Sequence, residues 1–460
     1  MFHPFLTKDI FAIPVFVAMP ILISIMLLES ALIARRESRY VRELTFLAFS
    51  ILIILSLISI KTLASAVESS IFMGKWVPPF GIQILLTRSN LAIILLMAFA
   101  SLGFVCIETE YSILNPLMLL LFIGLLGFFL TNDLFNMFVF MEITATASFG
   151  LAALSKKRDS AKAALFYLIP AGITTTLFFL SAAMVYGIAG TLNFWQISTK
   201  AIELGGFLAS GLLLPFIFKS PLIPLHKWKV NVVNESSPQG ILFFTSLSPL
   251  MAFYGFYKIF ENFKVPLKLS YFLATISAIT CVVSSINASS SKNFLSSLVY
   301  CSIANTSLAL LALFLNFPGI AFMQIIATVL SEFVMITVYL KPNIFADRGE
   351  IPFLIALLSI AGMPFTPSFI SKVGIITAFF SASQFLGLIA CIIVVFSSIY
   401  IFNLYKCFEK REEHVKKPRT IDIYERMLKY LIIAFIVSMF LLGIFQTEFY
   451  KVSMLLFPKW

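Results

Sequence analysis

Five ionisable side chains, Glu142, Lys219, His226, Glu332 and Lys372, stand within or beside apolar stretches of this 460-residue chain. In a hydrocarbon setting a charge costs on the order of 3 kcal/mol at the bilayer centre, so such residues mark ion or proton sites more often than packing. The sharpest arrangement is Lys219-Ser220-Pro221-Leu222-Ile223-Pro224-Leu225-His226-Lys227-Trp228, which follows the apolar run Gly205–Phe218. Pro221 and Pro224 cannot donate backbone hydrogen bonds, so the helix carrying Lys219 must break just past it. A broken helix at membrane depth survives only against protein or a water-filled cavity. Burial lowers a lysine's proton affinity and a neighbouring carboxylate raises it, which makes Lys219 a switchable proton carrier. Snorkelling to the interface is the bland alternative. It suits Lys227 and Lys229, whereas Lys219 is followed by a further apolar turn.

Glu142 closes the stretch Asn132-Asp133-Leu134-Phe135-Asn136-Met137-Phe138-Val139-Phe140-Met141-Glu142, where it needs a partner or a proton. A relay or a modulator of the lysine is the functional reading, and a structural ion pair the other. His226 could pass protons at neutral pH, and a hydrogen-bonded interfacial histidine is an equal alternative. A second break, Ala361-Gly362-Met363-Pro364-Phe365-Thr366-Pro367, precedes Lys372. Each break thus pairs two prolines, three residues apart, with a lysine. Glu332 could pair with a lysine of the same half, and the sequence does not say which. Glu29, Glu108 and Glu110 are expected to face solvent or headgroups. Thr245, Ser246, Ser248, Ser277, Ser284, Asn287, Ser302 and Asn305 could line a hydrated path, with helix packing the more ordinary role for most of them.

The elements that position these residues are membrane helices. Hydrophobic residues make up 60% of the chain and charged residues 12%, half the share of an ordinary soluble domain; mean hydropathy is +0.99. Apolar runs mark out about fourteen spans: Ile10–Ile33, Leu44–Leu63, Leu91–Ile107, Ile113–Leu130, Leu134–Leu154, Ala163–Ile188, Gly205–Lys219 with its broken continuation, Ile241–Phe260, Leu269–Ser289, Phe294–Leu315, Ile320–Leu340, Ile351–Phe380, Phe385–Tyr405 and Met427–Ile444. A longer polar loop carries Trp76 and Pro78-Pro79, and Asn193–Leu204 reads as interfacial. The fold class expected is an all-α polytopic membrane protein.

The net charge of +11 is spread over short loops, which points to topology and away from nucleic acid. Arg35, Arg36, Arg39 and Arg42 form one basic loop; Lys156, Lys157, Arg158 and Lys162 a second; Lys406, Lys410, Arg411, Lys416, Lys417 and Arg419 a third. With fourteen spans all three fall on one side, so they are expected to be cytoplasmic in a multi-pass plasma-membrane protein with both termini outside. Cys106, Cys281, Cys301, Cys391 and Cys407 have no CxxC spacing and read as buried thiols. No P-loop, GxGxxG, HExxH or nucleophile elbow is present, so no catalytic chemistry or bound cofactor is expected of the chain itself. Two interrupted spans in corresponding positions of two halves point to inverted repeats. The expected organisation is a three-helix segment over residues 1–112, repeats of five helices over 113–260 and 261–405, and a basic loop with a last helix over 406–460.

Through Asn132–Glu142, Tyr186-Gly187-Ile188-Ala189-Gly190-Thr191-Leu192-Asn193, Lys219–Trp228 and Ser359–Lys372, the chain resembles the antiporter-like membrane subunits shared by respiratory complex I, Mrp cation/proton antiporters and membrane-bound hydrogenases. The resemblance implies fourteen helices with broken seventh and twelfth helices, a Glu142–Lys219 carboxylate–lysine pair, and Lys372 as the terminal ionisable group. It also implies a proton-translocating subunit, with sodium coupling a further option, in a redox-driven complex. Other integral subunits, lipid and a peripheral arm with Fe–S or Ni–Fe centres would be its partners. The sequence departs from the family pattern at Leu250, where a lysine is usual, and at Thr328 and Glu332, where histidine and lysine are usual. Phe166 stands where the family often has a lysine, with Lys162 one turn away on the same face. Two rival readings follow: a structural member of the family without a complete proton path, and a stand-alone secondary cation transporter.

Overall fold

The computed structural model describes residues 13–36, 40–65, 68–107, 112–342, 344, 345, 350–412 and 422–459. Arg39, Glu108, Glu110, Lys416, Lys417 and Arg419 lie outside the described residues. The chain forms two compact units, residues 1–215 with 258–265 and residues 216–257 with 266–460.

In the first unit α1 (Pro14–Ala34) and α2 (Val41–Ser65) are followed by a hairpin of β1 (Glu68–Phe72) and β2 (Gln83–Thr87). Next come α3 (Arg88–Cys106), α4 (Leu114–Leu130), α5 (Leu134–Ala153), α6 (Ser160–Ala189), the short α7 (Phe194–Lys200) and most of α8 (Gly206–Lys219). Helices suit this composition because each satisfies its own backbone away from water. Their ends need side chains: Thr87 and Asn90 cap α3 reciprocally at 3.3 and 2.8 Å, and Asp133 accepts from the Asn136 amide at 2.9 Å to start α5. Arg42 donates to the Val105 and Cys106 carbonyls at the end of α3.

Two expectations need correction here. The loop after α2 is not irregular: Ser69 faces Leu86 and Ile71 faces Ile84 across an antiparallel pair, with these four side chains buried. Alternation in ESSIF and QILLT gives each strand one inward face, a signal easily overlooked between long apolar runs. Glu29 does not face solvent. It is fully buried and accepts from the Thr45 hydroxyl at 2.7 Å, because α1 and α2 pack along the face that carries it.

The second unit holds α9 (Lys227–Glu235), α10 (Pro238–Leu242), a π-helical turn at Phe243–Leu247 and α11 (Ser248–Asn262), whose last residues belong to the first unit. It continues with α12 (Leu267–Ser290), α13 (Phe294–Phe314), α14 (Pro318–Leu340), α15 (Glu350–Ala361), α16 (Pro367–Ala382), α17 (Gln384–Phe396), α18 (Ile401–Glu412), α19 (Ile423–Ile444) and α20 (Gln446–Leu456). Helices α13 and α14 are buried along almost their whole length, as is the stretch Pro238–Asn262, and this unit packs around them. Among the described residues eleven helices are long and apolar enough to cross a membrane, and Leu114–Leu130, Gly206–Lys219, Glu350–Ala361 and Pro367–Ser381 are shorter apolar helices.

Helix α19 passes directly over the second break, where a Cβ on Gly443 would stand 1.9 Å from the Phe365 carbonyl oxygen. Gly443→Val should therefore lower the thermal transition of the detergent-purified protein, by roughly 1–3 kcal/mol of overpacking. Gly172→Ala, which meets nothing within 4 Å, should leave it unchanged or slightly raised.

Candidate ion-translocation site

The first break runs from Ser220 to His226, between α8 and α9. Lys219 is buried at 3% exposure as the last residue of α8. The backbone groups that the prolines free find side-chain partners. The Trp228 indole donates to the Phe218 carbonyl at 3.2 Å while stacking on the Phe218 ring, the Ser248 hydroxyl donates to the Lys219 carbonyl at 3.4 Å, and the Ile223 amide donates to Thr280 Oγ1 at 3.1 Å. Trp228 thus has a structural task. His226 is half-buried, 6.5 Å from the Tyr300 ring between centroids.

The second break lies between α15 and α16. Gly362 at φ 86° and Phe365 at φ 67° turn the chain through the left-handed region, which strains the bulky Phe365. Lys372, buried at 4% exposure, reaches back from α16 to the open end of α15. Its Nζ donates to the Ile360 carbonyl at 3.0 Å, the Ala361 carbonyl at 3.0 Å and Ser398 Oγ at 3.2 Å. An ammonium has three donors, and here all three are used. A cation at a helix C-terminus also meets the negative end of the helix dipole.

Lys229 corrects the snorkelling expectation. It is fully buried and donates to Ser302 Oγ at 3.0 Å, while Lys227 is exposed as expected. On α9 two residues differ by about 200° of rotation, so an outward Lys227 sends Lys229 inward. Glu332 is also fully buried, and its electrostatic neighbours are Lys229 and Ser302. Neither of its carboxylate oxygens accepts a hydrogen bond from the described residues. Lys229 is therefore the lysine of this half that bears on Glu332.

Beside Lys372 lies a network of buried polar groups. The Gln324 amide donates to Asn305 Oδ1 at 3.1 Å, and its oxygen accepts from Ser368 at 3.3 Å and from Ser371, the neighbour of Lys372. Asn305 in turn donates to the Tyr400 hydroxyl at 2.5 Å. Sequence reading passed over Gln324 and Ser371, yet a signal exists. Gln324, Thr328 and Glu332 recur at i, i+4 and i+8, and Ser368, Ser371 and Lys372 at i, i+3 and i+4, which puts each set on one helix face. Of the hydroxyl residues, Ser302 and Ser248 bond across helices, while Thr245 and Ser246 bond their own helix.

In the first unit Glu142 is half-buried on α5, and its charge bears on Tyr167, which is hydrogen-bonded to Ser148 at 3.0 Å. Lys162 and Phe166 are exposed on α6. Asn132 and Asn193, both within the family-like stretches, act together as a clamp. Both side chains donate to Gln83 Oε1, at 2.9 and 2.8 Å, while the Leu134 amide bonds Leu192 and the Phe194 amide bonds Asn132.

Residues 131–347 match the family described as NADH:quinone oxidoreductase/Mrp antiporter, TM. A Staphylococcus aureus (strain Mu3) protein named as antiporter subunit mnhD2 is 26% identical over 409 residues, covering 79% of this chain and 80% of its own length. Residues 131–347 belong to the antiporter-like subunit family, and the likeness to mnhD2 extends over most of the chain. The chain is accordingly a multi-pass membrane protein. Two solved structures share the fold. One is from the Mrp complex of Dietzia sp. DQ12-45-1b, with TM-score 0.81, 16% identity, and 96% of this chain and 97% of that one covered. The other is from the membrane-bound sulfane sulfur reductase, an archaeal respiratory membrane complex, with TM-score 0.81, 21% identity, and 95% and 96% covered. For this antiporter-like subunit, Gln324→Leu should leave Asn305 Oδ1 without its donor in the core, while Ser368 and Ser371 keep the Ile360 and Ser368 carbonyls as acceptors. At about 1–3 kcal/mol for an unsatisfied buried group, it should lower the thermal transition clearly.

Proposed function

We propose that the chain is a proton-translocating subunit, with sodium as the alternative coupling ion, of a larger complex in the plasma membrane. The observation that carries this reading is the pair of helix interruptions, each with a buried lysine beside it, in an antiporter-like chain. In this reading Glu142 and Lys219 form an adjustable carboxylate–lysine pair, and Lys372 is the far exit group. Events elsewhere in the complex change the Glu142–Lys219 separation and so the lysine's hold on its proton. His226 and Lys162 belong to the same path. Leu114–Leu130 and the two interrupted helices complete fourteen crossings arranged as two inverted repeats, with the basic loops cytoplasmic and both termini outside. Partners are other integral subunits and lipid, together with a redox arm whose Fe–S or Ni–Fe centres supply the electrons.

Lys219→Ala should abolish coupled ion movement in vesicles while the complex still co-purifies in mild detergent. Normal movement in that variant would sink the reading. A second reading, a structural subunit without a complete path, is favoured by the apolar Leu250, fully buried where the family usually has a lysine. Lys372→Ala separates the two: a fall in ions moved per electron supports translocation, and an unchanged ratio supports the structural role.

A further inference from the structure

Lys229 and Glu332 differ from Lys372 in a way that bears on function. All three are buried at the centre of the second unit, yet Lys372 has every donor occupied and no carboxylate among its hydrogen-bond partners. Lys229 makes one hydrogen bond, to Ser302, and Glu332 makes none among the described residues. Two opposite charges facing each other in a low-dielectric interior are costly unless their remaining donors and acceptors are satisfied. Moving one proton removes both charges at once. An ammonium and a carboxylate become an amine and a carboxylic acid, and no other group changes charge.

Ser302 is placed to serve that exchange. Its oxygen accepts from Lys229 Nζ, it is also an electrostatic neighbour of Glu332, and its own hydrogen now goes to the Thr245 carbonyl at 3.2 Å within the π turn. A hydroxyl that takes a proton from the lysine can release its own toward the carboxylate after rotating off that carbonyl. Asn305, three residues along α13 from Ser302, then opens the polar line through Gln324 and Ser371 to the neighbourhood of Lys372. Among the described residues the Cys301 thiol also bears on Lys229.

We propose that Lys229 and Glu332, bridged by Ser302, form a second proton-exchanging pair inside the second unit, with Lys229 as the carrier. It stands in for the basic residues this chain lacks at Leu250 and Thr328. The proposal rests on the translocation reading above, and its test keeps the two apart.

Proton movement would be recorded with a pH-sensitive dye in everted vesicles holding the assembled complex, energised by an imposed sodium gradient or by hydrogen or NADH as donor. Lys219→Ala is the control for translocation itself. If Lys219→Ala leaves movement intact, the translocation reading fails and this inference falls with it. With movement lost in that control, Lys229→Arg decides, because arginine keeps the charge opposite Glu332 but does not release a proton. At least a tenfold loss in Lys229→Arg, with the complex assembled, is the expected result. Near-normal movement would show a merely structural ion pair and overturn the inference while leaving the translocation reading in place. Should Lys229→Arg not assemble, Lys229→Met with Glu332→Gln removes both charges together. Loss of movement in that double variant, with assembly retained, supports the carrier role, and retained movement refutes it.

Discussion

Inside a membrane a backbone amide or carbonyl has no water to turn to, and this requirement governs how both interruptions of the chain are built. Proline frees backbone groups at Pro221 and Pro224, and again around Pro364 and Pro367. At the first break the freed groups are met by Trp228, Ser248 and Thr280, which come from α9, α11 and α12. At the second, Lys372 itself closes the open end of α15. The polar residues around each break are thus fixed by the need to satisfy the backbone before any ion is considered. A chain that breaks a helix in this setting has to carry donors beside the break, and a lysine supplies three of them.

That requirement divides the buried charges of the second unit into two kinds. Lys372 is held by the helix end that it caps, so its position is tied to the shape of the break. Lys229 has one hydrogen bond, to Ser302, and Glu332 has none among the described residues, although the charge of each bears on the other. Rigid groups of the first kind set geometry, and groups of the second kind have an easy route to neutrality by sharing a proton. The line from Asn305 through Gln324 to Ser371 ends next to Lys372 and is made of side chains that are themselves satisfied. Satisfied polar networks in a core are rigid, and one missing member leaves its neighbours exposed to a large desolvation cost.

At 16% and 21% identity the solved structures share this fold over almost the whole chain. Such likeness of shape follows from packing apolar helices of matched length, which many sequences can do. In this chain Leu250 and Thr328 are buried without a charge, and the buried lysine of α9 is Lys229.

Composition, the proline pairs and the loop charges were enough to establish a helical membrane chain with two interrupted helices, because hydrocarbon admits so few backbone solutions. Glu332, Lys219 and Lys372 could be picked out as buried because no other charged residue stands near them in the chain. Burial of Lys229 and Glu29 was not legible, since each follows from the rotation of its helix against a neighbour, and that rotation is decided by packing between segments distant in sequence. For the same reason only the folded unit shows that Glu332 faces Lys229, and that Gln324 joins three helices. Spacing along one helix gives a face; which other face it meets is a tertiary fact.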